Sequence, residues 1–294
     1  MRTIFLSRNL RGRQAPYNFM QNQIKHILVP VDFSSDSVNA LYLADRIARL
    51  HDSTIFLVNV VPAERPLTIT AKDTPRSVPS QENAEYQLRT FVRALLTRDL
   101  LDSQFLVDQG PVVPSIARTA KKHSIDLIVM GTRGQGKISD SWIGSTATQL
   151  LDQTTCPILL VPEKARDVDI KQALCATDLQ ENDPYRIWKA ANLLQKFAPA
   201  ISCVYVHGSH NGTFHISMEE LRAFLTVTIP SIRLKFFEIV GITAWDTLND
   251  FCMQHHTDLL IVFQPFRGLL KTLFHKHVGR SLLLQSTVPI LILH

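Results

Sequence analysis

"VMGTRGQGKISDSWIGSTATQLL", residues 129–151, runs from an apolar stretch through a cluster of glycines into a helix-like segment. Ile125 to Met130 lead in, Gly131, Gly134 and Gly136 punctuate the middle, and Gly144-Ser145-Thr146 open the helical part. Two phosphate-loop patterns compete for this stretch. Gly131 to Lys137 spells GxxxxGK, close to the loop of the P-loop NTPases, whose lysine is followed by a Ser or Thr that ligates Mg²⁺. Ile138 stands in that place, and isoleucine ligates no metal. The loop also follows the fourth strand-like run rather than the first, so the P-loop pattern fails. The other spacing is Gly131-x2-Gly134-x9-Gly144-Ser145. Glycines allow a tight turn and close backbone approach, and a helix opening at Gly144 offers free N–H groups to an anion. Helix-end electrostatics alone supply about 0.3–1 kcal/mol, so holding a triphosphate needs several N–H and hydroxyl donors together.

Outward from that loop the chain alternates between strand and helix patterns. "IKHILVPVDFS", from Ile24, is a buried-strand run ending in a polar turn. "DSVNALYLADRIARLHD" has helical periodicity, with Leu41, Ala44, Ile47, Ala48 and Leu50 read as one apolar face. "STIFLVNVV" reads as a strand, and a loop holding Pro62, Pro66, Pro75 and Pro79 leads to a helix over roughly 80–97. "SQFLVDQG" (strand), "VPSIARTAKKH" (helix) and "DLIVMG" (strand) precede the glycine loop, and "CPILLVP" closes the series. Such alternation predicts a parallel sheet covered on both faces.

The pattern is then written again. "QALCATDLQ" echoes "HILVPVDFS", "AISCVYVHG" echoes "STIFLVNVV", "HTDLLIVF" echoes "SIDLIVMG", and "STVPILIL" echoes "TTCPILLV". Pro157 and Pro289 each open the last strand, which is expected at a sheet edge, where a missing N–H does little harm. The expectation is a tandem duplication of one α/β domain, with units at 23–163 and 169–294 and a basic N-terminal extension, 1–22, read as disordered.

Composition narrows the class. The 294 residues are 45% hydrophobic and 19% charged, with formal net charge +5. Arg2, Arg8, Arg11 and Arg13 fall within the extension, and setting them aside leaves 27 basic against 26 acidic residues. A body so close to neutrality does not suggest nucleic acid as a partner. No apolar run approaches the roughly 18–20 residues that span a bilayer, and the N-terminus lacks a signal-peptide core, so a cytoplasmic protein is expected. Cys156, Cys175, Cys203 and Cys252 are far apart, form no CxxC, and are read as buried reduced thiols.

The glycine spacing, with "VPVD" in the first strand and "CPILLVP" in the last, resembles the universal stress protein family, as a two-domain tandem member covering about Ile24 to His294. The resemblance implies two doubly wound α/β domains, each an open five-stranded parallel sheet in the order 3-2-1-4-5 with helices on both faces. It places a ligand at the switch point between strands one and four. In ATP-binding relatives, the segment matching Pro30, Val31 and Asp32 contacts adenine and ribose, and the second-strand end near Val60 lines the base pocket. The segment matching Met130, Gly131, Arg133 and Gly134, with Gly144, Ser145 and Thr146, holds ribose and phosphates. The implied cofactor is ATP, with or without Mg²⁺. On this view a side chain at Gly131 or Gly144 would occupy phosphate space. The family also implies that the halves pack as a pseudo-dimer, since single-domain relatives often pair through their last strands; a homodimer of chains is the further option.

Other roles stay open at single residues. Asp32 suits a ribose hydroxyl and equally suits a cap for the following turn. Arg133 and Lys137 fit phosphate contact or a solvated loop. The second copy keeps Thr177-Asp178 but reads Val262-Phe263-Gln264-Pro265-Phe266 where the first has Met130-Gly131-Thr132-Arg133-Gly134. Proline removes an N–H donor there, and Gly279 is out of register with Gly144. One nucleotide per chain is therefore expected, in the first half. Phe263, Phe266 and Phe274 are read as core, with filling of the vacated pocket or a contact surface as the alternatives. His207, His210, His215, His255, His256, His275 and His277 lack supporting carboxylates and cysteines, and are read as surface residues rather than metal ligands. The functional expectation is an ATP-binding stress-response regulator with little or no turnover. A slow ATPase or phosphotransferase and a ligand-free interaction module are the alternatives, Asp140 being the nearest candidate base.

Overall fold

The computed structural model describes residues 23–61, 81–95, 103–133, 144–165, 169–207, 216–264 and 288–294. The extension 1–22, the four loop prolines, Gly134, Lys137, Asp140, Pro265, Phe266, Phe274, Gly279 and His210, His215, His275 and His277 lie outside them. The first half runs β1 (His26–Pro30), α1 (Ser35–His51), β2 (Thr54–Val61), α2 (Gln81–Leu95), β3 (Gln104–Gln109), α3 (Val112–Lys122), β4 (Leu127–Gly131), α4 (Ser145–Gln153) and β5 (Ile158–Val161). The second runs β6 (Gln172–Ala176), α5 (Asp183–Leu194), β7 (Ala200–His207), α6 (Met218–Thr228), β8 (Arg233–Val240), α7 (Ala244–Gln254), β9 (Leu259–Phe263) and β10 (Ile290–Leu293).

Strand residues alternate between two cores. Ile27, Val29, Leu127 and Val129 face α1, where Ala40, Leu41, Ala44, Ile47 and Ala48 are buried against them. Leu28, Val58, Ile128 and Met130 face the other way, toward Val113 and Ile116 of α3 and Ala147, Leu150 and Leu151 of α4. Leu50 departs from the apolar face assigned to it and is 40% exposed. It lies nine residues after Leu41, and at about 100° per residue that turns it to the opposite side of the helix.

The expectation of two separate five-stranded parallel sheets is corrected by a single sheet of ten strands. Its order is β3-β2-β1-β4-β5-β10-β9-β6-β7-β8. Pairing within each half is parallel, but β5 and β10 pair antiparallel, with Leu160 opposite Ile290, Leu159 opposite Leu291 and Ile158 opposite Ile292. All four residues of each strand are buried. An apolar strand left at an edge would present unpaired N–H and C=O groups to any passing chain; here each last strand covers the other. Pro157 and Pro289 therefore sit at the middle of the sheet, not at an edge. Each precedes the first paired residue, and its carbonyl still accepts a bond, from Ile128 N–H at 2.9 Å and from Leu260 N–H at 3.0 Å. Across the junction, Asp169 accepts from Arg46 of α1 at 2.5 Å and from Lys171 at 2.7 Å. Lys171 first, then Arg46, holds the Asp169 carboxyl below its ordinary value.

Each half bends sharply after its first strand. Phe33 (φ 63°) and Leu179 (φ 55°) occupy the left-handed region there, at a cost of roughly 1–2 kcal/mol each for a residue with a Cβ. Phe33 gains an edge-on contact with Phe91 of α2, ring centres 5.1 Å apart.

Candidate functional site

A cavity of about 470 Å³ opens at the carboxyl ends of β1, β2 and β4, where the strand order reverses. Sheets of this kind bind ligands at that place, and the volume falls within the ~300–1,000 Å³ of small-molecule pockets. Pro30, Val31, Asp32, Val60, Met130, Gly131, Arg133, Gly144, Ser145 and Thr146 all line it. Gly134 and the further candidates Lys137 and Asp140 lie outside the described residues. Four segments far apart in the chain thus converge on one space.

The floor is apolar, built from Val58, Val60, Ile116, Met130 and Ala147. One wall is the start of α4. Gly144 is its N-cap and supplies no side-chain cap, and the first helical bond runs from Thr148 N–H to Gly144 C=O at 3.1 Å. The N–H groups of Ser145, Thr146 and Ala147 therefore lack intrahelical acceptors, and all three residues border the cavity. Arg133 is exposed at the rim. Fixed donors and a guanidinium on one side suit an anion.

Asp32 performs the capping role left open for it. Its Oδ1 accepts from Ser34 N–H at 3.1 Å and from the Ser34 hydroxyl at 2.6 Å, and the Ser34 hydroxyl oxygen accepts from Ser37 N–H at 3.2 Å. Asp32 nevertheless borders the cavity, so the two roles are compatible. Asn59, almost fully buried, donates from Nδ2 to the Val31 carbonyl at 2.7 Å and so ties the ends of β1 and β2 together.

The part given to Gly131 needs correction. A Cβ built there meets Asp36 Cβ at 2.6 Å and the Asp36 backbone at 2.8 Å. That direction is toward α1, so this glycine lets the helix approach β4 closely. Gly144 is different again: a Cβ there meets the Thr132 carbonyl oxygen at 3.2 Å, and its φ of −65° suits any residue. Asp36 and Thr132 were not legible as site residues. The Thr132 hydroxyl donates to Asp36 Oδ2 at 2.9 Å across 96 residues of chain, which no local pattern reveals.

In the second half, Phe263 stands opposite Leu293 as Gly131 stands opposite Val161. It is 1% exposed and belongs to the core, with the Arg186 guanidinium 5.9 Å from its ring centre. Trp245 of α7 is likewise almost wholly buried. Of the histidines, His255 and His256 are exposed, while His207 is half-buried and pairs with Glu238 at 2.8 Å. Among the described residues no group of three His, Cys, Asp or Glu side chains is placed to hold a metal ion. All four cysteines are free; burial pushes the Cys156 and Cys252 thiols up to about 12 and the Cys175 thiol well above its ordinary value. No helix among the described residues is long and apolar enough to cross a membrane.

Comparison with known proteins agrees with this architecture. The model of the universal stress protein family matches residues 23–162. A universal stress protein of Synechocystis sp. is 25% identical over 138 residues, covering 47% of this chain and 85% of that protein. Among solved structures, a universal stress protein of Archaeoglobus fulgidus superposes with TM-score 0.69 at 16% identity, covering 92% of this chain and 96% of that one. A functionally unknown protein of Pseudomonas aeruginosa gives TM-score 0.55 at 15% identity, covering 93% of each chain. The structural likenesses bear on the fold alone. Residues 23–162 are thus similar to the universal stress protein family.

Proposed function

We propose that this is a nucleotide-binding stress-response regulator that holds one ATP in the cavity of its first half. The observation that carries the reading is the convergence of Pro30–Asp32, Val60, Met130–Arg133 and Gly144–Thr146 on one apolar-floored cavity walled by free helix N–H groups. The floor suits a base, the Asp32 carboxylate a ribose hydroxyl, and the start of α4 with Arg133 the phosphates. ATP fits this donor set. Mg²⁺, when present, would be carried chiefly by the phosphates, with Asp32 the carboxylate at the cavity.

Little or no turnover belongs to the same proposal. Both described carboxylates in this region serve the fold: Asp32 accepts from Ser34, and Asp36 accepts from Thr132 and from Arg133 N–H. A residue so engaged is a poor candidate for a general base. The units 23–163 and 169–294 are read as a tandem pair related as a pseudo-dimer, and the antiparallel β5–β10 ladder supports that relation. Two such chains forming a homodimer, in the cytoplasm, complete the reading.

Titration calorimetry with ATP, together with mass spectrometry of whatever co-purifies, tests it. Micromolar binding, equivalent to about −8 kcal/mol, is the expected result, without ADP accumulating over the titration. Absence of binding for ATP, ADP and AMP alike would overturn the proposal.

A further inference from the structure

We infer that Asp36 is the positioning residue of the phosphate side of this cavity, a claim that rests on the nucleotide reading above. Asp36 lies in the first turn of α1 and is 5% exposed. One oxygen, Oδ2, accepts two bonds, from the Thr132 hydroxyl at 2.9 Å and from the Arg133 N–H at 2.9 Å. Thr132 passes the restraint on. Its carbonyl accepts from Gly144 N–H at 2.7 Å, and its own N–H donates to the Val161 carbonyl at 3.1 Å. A continuous chain of bonds therefore runs from α1 through residues 132–133 to the first residue before α4, whose free N–H groups border the cavity.

Gly131 belongs to the same device. The close approach that lets Asp36 reach the exit of β4 leaves no space for a Cβ there. A buried carboxylate beside a phosphate site is electrostatically adverse, since like charges repel across a low dielectric. Its presence is therefore explained by geometry and not by attraction for the ligand. The second half is a natural control. Asp183, at the start of α5, accepts from Thr177 Oγ1 at 2.7 Å and from the N–H groups of Asp178 and Gln180, each at 3.2 Å. Those partners follow β6, not β9. The exit of β9 is held instead by Arg186, which donates to the Gln264 carbonyl at 2.9 Å. By strand register Asn182 stands at the place of Asp36 and Asp183 at that of Ser37, and among the described residues an acid of the first helix reaches the exit of the fourth strand only in the half with the cavity.

The test is calorimetry on the full chain with ATP and, separately, adenosine, which has no phosphates. Asp36→Ala should weaken ATP roughly tenfold, a change equal to about 1.4 kcal/mol, and leave adenosine within about twofold. Asp36→Asn, which keeps an acceptor oxygen, should recover most of the ATP affinity. Thr132→Val, nearly isosteric, removes one of the two bonds and should weaken ATP a few-fold, which keeps the claim testable if Asp36→Ala fails to fold. ATP and adenosine weakening together would mean general loosening and overturn the inference. So would ATP binding that is unchanged or stronger in Asp36→Ala and Thr132→Val. A wild-type chain that binds neither ligand overturns the nucleotide reading itself, and this inference with it.

Discussion

The exits of β4 and β9 occupy matching places in the two halves and are built on opposite principles. At β4, Gly131 lets α1 come close, and a carboxylate on that helix accepts from the following hydroxyl and N–H. At β9, Phe263 fills the matching position as core, and a guanidinium on the corresponding helix donates to the following carbonyl. One arrangement leaves a cavity with donors on its wall; the other spends the position on apolar burial. On the reading proposed above, the same sheet serves recognition in one half and packing in the other.

The largest effect that would sharpen this contrast comes from Phe263→Ala. Truncating a buried phenylalanine costs about 3–5 kcal/mol, so urea unfolding should show a large loss of stability. ATP affinity of the folded chain should stay unchanged; a parallel loss would show that the halves do not divide their tasks. Gly131→Val attacks the other side. Its side chain collides with Asp36, and overpacking costs about 1–3 kcal/mol. Both stability and ATP affinity should fall, whereas a variant of full stability would contradict the close approach described for α1.

Acid should loosen the junction between the halves. His51, at the end of α1, is 2% exposed, and neither ring nitrogen finds a partner among the described residues. Burial first, and the Lys196 charge second, lower its pKa. A base whose folded pKa lies below its unfolded value near 6.5 takes up its proton more readily when unfolded. Its contribution to stability is intact above about pH 6.5 and is lost as pH falls below it. Burial also lowers the His294 pKa, with the same sign. Denaturation midpoints between pH 7.5 and 5.5 should fall in the wild type and fall less in His51→Leu; identical slopes would remove His51 from the explanation. The smallest effect is expected from Gly144→Ala. Its backbone is ordinary and its new methyl meets only the Thr132 carbonyl at 3.2 Å. Stability should stay within about 0.5 kcal/mol, with ATP weakened no more than a few-fold.

Much of the fold was legible because its signals are local. Apolar runs at strand length, helical periodicity in "DSVNALYLADRIARLHD" and the doubled "PILLV"/"PILIL" ending each report a nearby cause. The spacing of Gly131, Gly144 and Ser145 pointed to the cavity that these residues line. What the residues alone do not report is long-range. The joining of β5 to β10 depends on two strands 132 residues apart finding each other, since Ile158 and Ile290 begin them. Asp36 reads from sequence as an ordinary acid in the first turn of a helix, and its link to Thr132 has no periodic trace. Gly131 shows why a glycine in a loop motif is ambiguous: the same residue type serves a ligand's approach or a helix's, and only the direction of the missing Cβ tells them apart.

Stoichiometry tests the contrast between the halves most directly. Equilibrium dialysis of the full chain against labelled ATP should find one nucleotide per chain at saturation, and Phe263→Ala should not change that number. Two equivalent nucleotides per chain would mean that the β9 exit still binds, and would contradict the division of the sheet into a recognition half and a packing half.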